Sequence, residues 1–160
     1  MGLGTALWQE LATAFPGNVE IARIAVRLLV AIVLGGVLGL QRAHVGKAAG
    51  MRTHMLVTLG AAIVVLAPQL TGMSSEGVSR VIQGVLTGIG FLGGGVILKM
   101  SEQHQIVGIT TAASIWLTAT LGIVTGGGHL GLAIVGAILA FIILTVFGRL
   151  EHAMIPGREP

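Results

Sequence analysis

The chain has no cysteine, no tyrosine and no aspartate, and only 9% of its 160 residues are charged. Without cysteine there is no disulfide, no thiolate nucleophile and no cysteine metal site. Without aspartate, the side-chain carboxylates are the six glutamates at 10, 20, 76, 102, 151 and 159. A soluble domain usually carries about 25% charged residues, so water is not the expected solvent. What is abundant agrees: 54% of the residues are hydrophobic, 26 are glycine, and the mean hydropathy is +0.95. Glycine at this density suits transmembrane helices that pack backbone to backbone. The net charge of +3 does not imply nucleic acid, because the basic residues sit at the ends of apolar segments with no basic, aromatic-bearing face. The opening MGLGTALWQE has no positive region, and Arg23 is the first basic residue, so no secretory signal is expected.

Five stretches can cross a bilayer, whose core of about 30 Å needs about 20 helical residues. They are residues 21–40, 53–72, 81–98, 106–125 and 130–148, and none contains a carboxylate. The expected fold is an all-α integral membrane protein, a compact bundle of five transmembrane helices over residues 20–148. Arg23 and Arg27 lie on one face near the start of the first span, where their stems can snorkel to the interface. Pro68 predicts a kink or early end to the second. Residues 1–19 form a tail or an interfacial helix with Leu3, Leu7, Leu11 and Phe15 on one face and Trp8 at headgroup level, closed by a turn at Pro16, Gly17 and Asn18. Residues 149–160 form a short tail, too short for a soluble domain.

Orientation follows from the loops. Arg42, Lys47, Arg52, Lys99, Arg149 and Arg158 fall on one side; Arg80, with Arg23 and Arg27 as flanking residues, falls on the other. The N-terminus is therefore expected outside and the C-terminus in the cytoplasm.

The stretch TGIGFLGGGVILK at 87–99 places Gly88, Gly90 and Gly93 in the G-x-G-x-x-G spacing of a dinucleotide loop. That reading needs a preceding strand and an acidic residue about 20 positions on. Here the glycines lie inside an apolar span and no acid occurs between Glu102 and Glu151, so no nucleotide is expected. The same glycines fit helix packing: Gly84 with Gly88, Gly90 with Gly94, Ala31 with Gly35 and Gly39, and Gly108 with Ala112. A bundle with the first, third and fourth spans in close contact follows. Gly93, Gly94 and Gly95 in succession weaken a helix, which leaves room for a break or bend near the cytoplasmic end of the third span.

The most polar part is LQRAHVGKAAGMRTHMLV at 40–57. Thr53 is a good N-cap for the second span, which sets Arg52 against the positive end of a helix. Either something negative is shared there, such as a lipid phosphate, a partner carboxylate or an anion, or Arg52 simply marks the cytoplasmic side. Histidines 44, 54, 104, 129 and 152 show no metal-ligand spacing and suit interfacial hydrogen bonding. No grouping of residues points to an enzyme. Spans without carboxylates disfavour a self-sufficient Mg²⁺ pump. Gln83, Thr87, Thr110, Thr111, Ser114 and Thr118 leave room for a neutral polar cavity.

GGVLGLQR (35–42), AAGMRTHMLVTLGAA (48–62), GIGFLGGGVIL (88–98) and GITTAASIWLTATLGI (108–123) resemble the signature segments of the MgtC/SapB family of bacterial inner-membrane proteins. The resemblance implies a membrane domain tied to survival under magnesium limitation, acting either by regulatory contact with other membrane proteins or as a transport component. It points to Arg42, Gly50, Arg52, Thr53, Gly88, Gly90, Gly93, Thr110, Thr111 and Trp116. This sequence departs from the family pattern at Gln41, where an acid usually precedes the arginine, and no C-terminal soluble domain is expected.

The resulting expectation is a multi-pass inner-membrane protein without catalytic residues or bound cofactor. Mg²⁺ would be a sensed or transported ion, and the partners are the bilayer, other membrane proteins or a second copy. The candidate polar cluster is Gln41, Arg42, Arg52, Thr53, Gln83, Thr110 and Thr111. The candidate packing residues are Gly35, Gly39, Gly50, Gly84, Gly88, Gly90, Gly93, Gly94 and Trp116.

Overall fold

The computed structural model describes residues 2–5, 8, 17–100 and 105–154. Among them five long helices form one bundle: α1 (Asn18–His44), α2 (Met51–Leu70), α3 (Ser75–Val96), α4 (Ile109–Gly126) and α5 (Leu130–Ile142). The last runs on through a π-helical segment (Ile143–Phe147) into α6 (Gly148–Met154). Residues 3–5 and Trp8 are helical, and Leu7, Leu11 and Phe15 of the proposed interfacial face lie outside the described residues. The sequence did not announce one element, an antiparallel pair of short strands, β1 (Leu98–Met100) and β2 (Gln105–Val107), where a plain loop was expected. Gly108 returns the chain from this hairpin into α4 with φ +93°, and Val96 O occupies the space where a side chain would be.

Among the described residues, four helical stretches are long and apolar enough to cross a membrane: α1, α2, α4 and Leu130–Glu151. With 22 residues α3 is equally long, but seven of them are glycine and its first turns carry Glu76 and Arg80, which pair on the surface. It starts with a capping hydrogen bond from Gly77 N to Ser74 Oγ and stays helical to Val96. The helix is therefore unbroken at Gly93–Gly95, and the hairpin begins only after those glycines. Pro68 lies in the last turn of α2, close to where the helix ends.

Helices α2 and α4 stand at the centre. Against expectation, α1 does not pack on α3: it rests on α2, with α4 and α5 completing its environment, while α3 covers the far side of α2 and α4. One apolar cluster joins α1, α4 and α5 through Leu38, Leu121, Ala137 and Ala140. A second joins α2, α3 and α4 through Ala61, Val65, Ala119 and Ile123, with Ile82, Leu86 and Ile89 of α3 against it.

Between apolar helices in lipid, close packing must replace the hydrophobic effect, so the contacts rest on residues with little side chain. A β-carbon added at Gly35 of α1 would lie 2.6 Å from His54 O and collide with Thr58 Oγ1. One added at Gly122 of α4 would collide with Thr58 O and lie 2.8 Å from the Ala61 β-carbon. The same turn of α2 is thus gripped from two sides. Gly39 repeats the contact, 2.6 Å from Met51 Cα, and Gly126 repeats it 2.5 Å from Ala62 O.

Candidate functional site

Two arginines of α1 hold the two ends of α4, which makes those helices antiparallel. Near the start of α1, half-buried Arg27 donates from Nη1 to Gly126 O at 3.1 Å, a cation at the carbonyl end of α4 where the helix dipole favours it. Arg23, expected to behave alike, is exposed. Near the end of α1, Arg42 is buried, 4% exposed, and donates from Nη2 to Thr111 Oγ1 at 3.2 Å in the first turn of α4. That is the end where the dipole disfavours a cation.

A buried polar seam continues from Arg42. His54 is fully buried rather than interfacial, because Gly39 lets α1 close over it. Its Nδ1 lies 2.9 Å from Gly50 O, so Nδ1 carries a proton. Its Nε2 lies 3.3 Å from Ser114 Oγ, which lies 2.8 Å from Thr111 O, so two acceptors share the one hydroxyl proton of Ser114. Thr58 and Thr118 are fully buried and return their hydroxyl protons to carbonyls of their own helices, His54 O and Ser114 O. His44 and His129 are exposed, and the side chains of His104 and His152 lie outside the description.

Beside this seam the π-helical segment of the last span displaces its carbonyl ladder, and Gln41 Nε2 donates to Leu144 O at 3.0 Å. π-helical turns of this kind are frequent at functional sites. Three buried polar atoms around it have no hydrogen-bond partner: Gln41 Oε1, Arg42 Nε and Thr145 Oγ1.

Of the candidate polar residues, the structure brings together Arg42 and Thr111, while Gln41 turns to the last span at Leu144. Arg52, Thr53, Gln83 and Thr110 are exposed and stand apart. Thr53 does not cap α2; Gly50 does, with an extended backbone and its carbonyl accepting from His54 N at 3.2 Å, which leaves Thr53 inside the first turn. Among the packing candidates, Gly35 and Gly39 lie in helix contacts, and a β-carbon at Gly50 would lie 3.6 Å from that of Ala43 and one at Gly93 3.7 Å from that of Ala112. A β-carbon at Gly84, Gly88, Gly90 or Gly94 would meet nothing, and Trp116 is 47% exposed. Gly122 and Gly126 were not among the candidates, although their four-residue spacing carried the same signal, and neither was Thr145; Ser114 and Thr118, named as polar-cavity residues, are buried in the seam. Among the described residues no group of three or more His or Glu side chains could hold a metal ion.

Helices of bilayer-spanning length around a neutral hydroxyl and imidazole seam with one enclosed cation define a multi-pass helical membrane protein. The chain belongs to the MgtC family, whose model matches residues 28–153. It is 43% identical over 140 residues to Protein SrpB of Synechococcus elongatus, covering 81% of this chain and 77% of that one. It is 38% identical over 140 residues to the "Putative magnesium transporter YhiD" of Escherichia coli, covering 83% and 64%. It is 38% identical over 112 residues to Protein MgtC of Salmonella typhimurium, covering 70% of this chain and 47% of that one. The chain thus spans about half the length of MgtC and under two thirds of YhiD. No solved structure matches it.

Proposed function

We propose that the protein is an inner-membrane component of magnesium homeostasis, or of adaptation to low Mg²⁺, that acts by binding other membrane proteins and not by catalysis. Its membrane domain is residues 20–148, with the N-terminus outside and the C-terminus in the cytoplasm. The magnesium link comes from the family and from the name of the relative YhiD.

The observation that carries the reading is the row of small and polar residues that α3 turns outward. Ile82, Leu86 and Ile89 pack inward, and Gln83, Gly84, Thr87, Gly90 and Gly94 point out, together with Phe91, 84% exposed, and Leu92. A helix face that meets lipid is ordinarily apolar, whereas small and hydrogen-bonding residues mark contact with another helix. Beside that face an apolar groove of about 420 Å³ runs between α2 and α3, lined by Gly60, Ala61 and Gly88 among others. The groove offers a second helix close approach. Transport finds less support, because α2, α4 and α5 carry no carboxylate and the polar seam of Arg42, His54, Thr111 and Ser114 is packed shut.

The test pairs growth with flux. Cells lacking the protein and grown at limiting Mg²⁺ should be restored by the wild type but not by Gly88→Leu, which fills the groove, although both accumulate equally in the membrane. Proteoliposomes holding the purified wild type should pass no more Mg²⁺ than empty vesicles. Flux well above empty vesicles that disappears in Gln41→Leu would establish transport instead.

A further inference from the structure

The last span departs from the α-helix in one turn, and its hydrogen bonds change hands there. Across Ile143–Phe147 the chain is π-helical, and the Gly148 N–H, which an α-helix would give to Leu144 O, goes to Thr145 O. Leu144 O is left to accept from Gln41 Nε2 of α1 at 3.0 Å. Thr145 loses by this arrangement. Three threonines buried in regular helix, Thr58, Thr118 and Thr125, donate to the carbonyl four residues back, His54 O, Ser114 O and Leu121 O, at 2.8, 2.7 and 2.6 Å. The Thr145 hydroxyl is buried with no partner, and so is Gln41 Oε1. A regular α-turn would set Phe141 O, four residues back, to accept from Thr145 in the same way. The bond to Gln41 thus favours the π-helical turn, and the buried polar atoms it leaves unpaired weigh against it. The two sides of the turn are unequally held. Ala133, Ala137 and Ala140 of α5 are buried in the bundle, whereas α6 rests mainly on the π-helical segment and turns Arg149 and Leu150 outward.

We propose that the last span is a two-register switch. Gln41 holds the π-helical register; when it releases Leu144 O, the turn closes to an α-helix, Thr145 bonds to Phe141 O, and α6 rotates by about 100° and advances by about 1.5 Å. Events at the end of α1 are thereby passed to the segment that leaves the bundle. This device is independent of the outward face of α3, so the two proposals can fail separately.

The chain has no cysteine, so spin labels can be placed singly and the orientation of α6 read as a distance. One label is carried by Arg52→Cys at the exposed start of α2, and the other by Arg149→Cys or Leu150→Cys, exposed positions about 100° apart on α6. Pulsed electron spin resonance is recorded on the full chain in lipid nanodiscs. On a helix about 10 Å across, a rotation of about 100° carries a side chain about 8 Å, and two positions this far apart in angle cannot both keep their distance. Gln41→Leu and Gln41→Met, which remove the donor to Leu144 O, should each populate shifted distances. Thr145→Val, which removes the orphan hydroxyl, should keep those of the wild type. Deleting Val146 takes out the extra residue of the π-helical turn and leaves α6 in place, so in that background Gln41→Leu should shift nothing. The proposal is overturned if both Gln41 variants keep the wild-type distances, if Thr145→Val shifts as they do, or if the Gln41→Leu shift survives the deletion.

Discussion

Replacing Gly122 with alanine should cost the protein more stability than replacing any outward glycine of α3. The new methyl group would press into the α2 backbone at Thr58 and the Ala61 side chain, and no flexible group there can move aside. Overpacking of this kind costs about 1–3 kcal/mol in a well-packed core. The upper part of that range is expected here, because Gly35 of α1 presses on the same turn of α2 at His54 and Thr58, so α2 has less freedom to shift. Gly84→Ala, with open space around the added carbon, should change stability by less than about 0.5 kcal/mol, or raise it through helix propensity. Thermal unfolding of the three proteins in one detergent checks the order. A Gly84→Ala protein less stable than Gly122→Ala would contradict the packing described.

The second large effect is expected at His54. Its ring fills a site with no solvent exposure and links α2 to α4 through Ser114, while Nδ1 ties it to the carbonyl that starts its own helix. His54→Ala should destabilise the bundle by about 3–5 kcal/mol, as truncation of a large buried side chain does. It leaves Ser114 without its cross-helix partner and opens a void beneath Gly39. His54→Gln, which keeps a polar group of similar reach, should recover part of the loss. Unfolding midpoints of the pair measure this, and equal midpoints for His54→Ala and the wild type would show that the seam holds nothing together.

Much of the bundle was legible because membrane crossing depends on apolar length, which the sequence displays directly. Five expected spans correspond to α1 to α5 within a few residues, the last extended by the π-helical segment and α6. What was hidden is what depends on neighbours. Gly84 with Gly88 and Gly122 with Gly126 have the same spacing, yet the first pair faces open space and the second faces the α2 backbone. The difference lies in which face each helix commits to the core. In α3 that face is taken by Ile82, Leu86 and Ile89, and in α4 by Ile115, Ala119 and Ile123. Arg42 at the end of an apolar span reads as a marker of the cytoplasmic side. Its burial comes only from α4 running antiparallel and setting Thr111 beside it. Gln41 could not be paired with Leu144 in advance, because a π-helical segment leaves no mark in residue type or periodicity.

The central claim, that the outward face of α3 meets another membrane protein, is tested most directly by placing a photo-crosslinking amino acid along that helix in living cells. Position 87, on the outward face, should give an intermolecular adduct, and position 86, packed against α2 and α4, should give none. Adducts at position 87 that disappear when Gly88→Leu is added would tie the contact to the groove. A helix that yields no protein adduct from position 83, 87 or 90 at native expression, under magnesium limitation, would contradict the account.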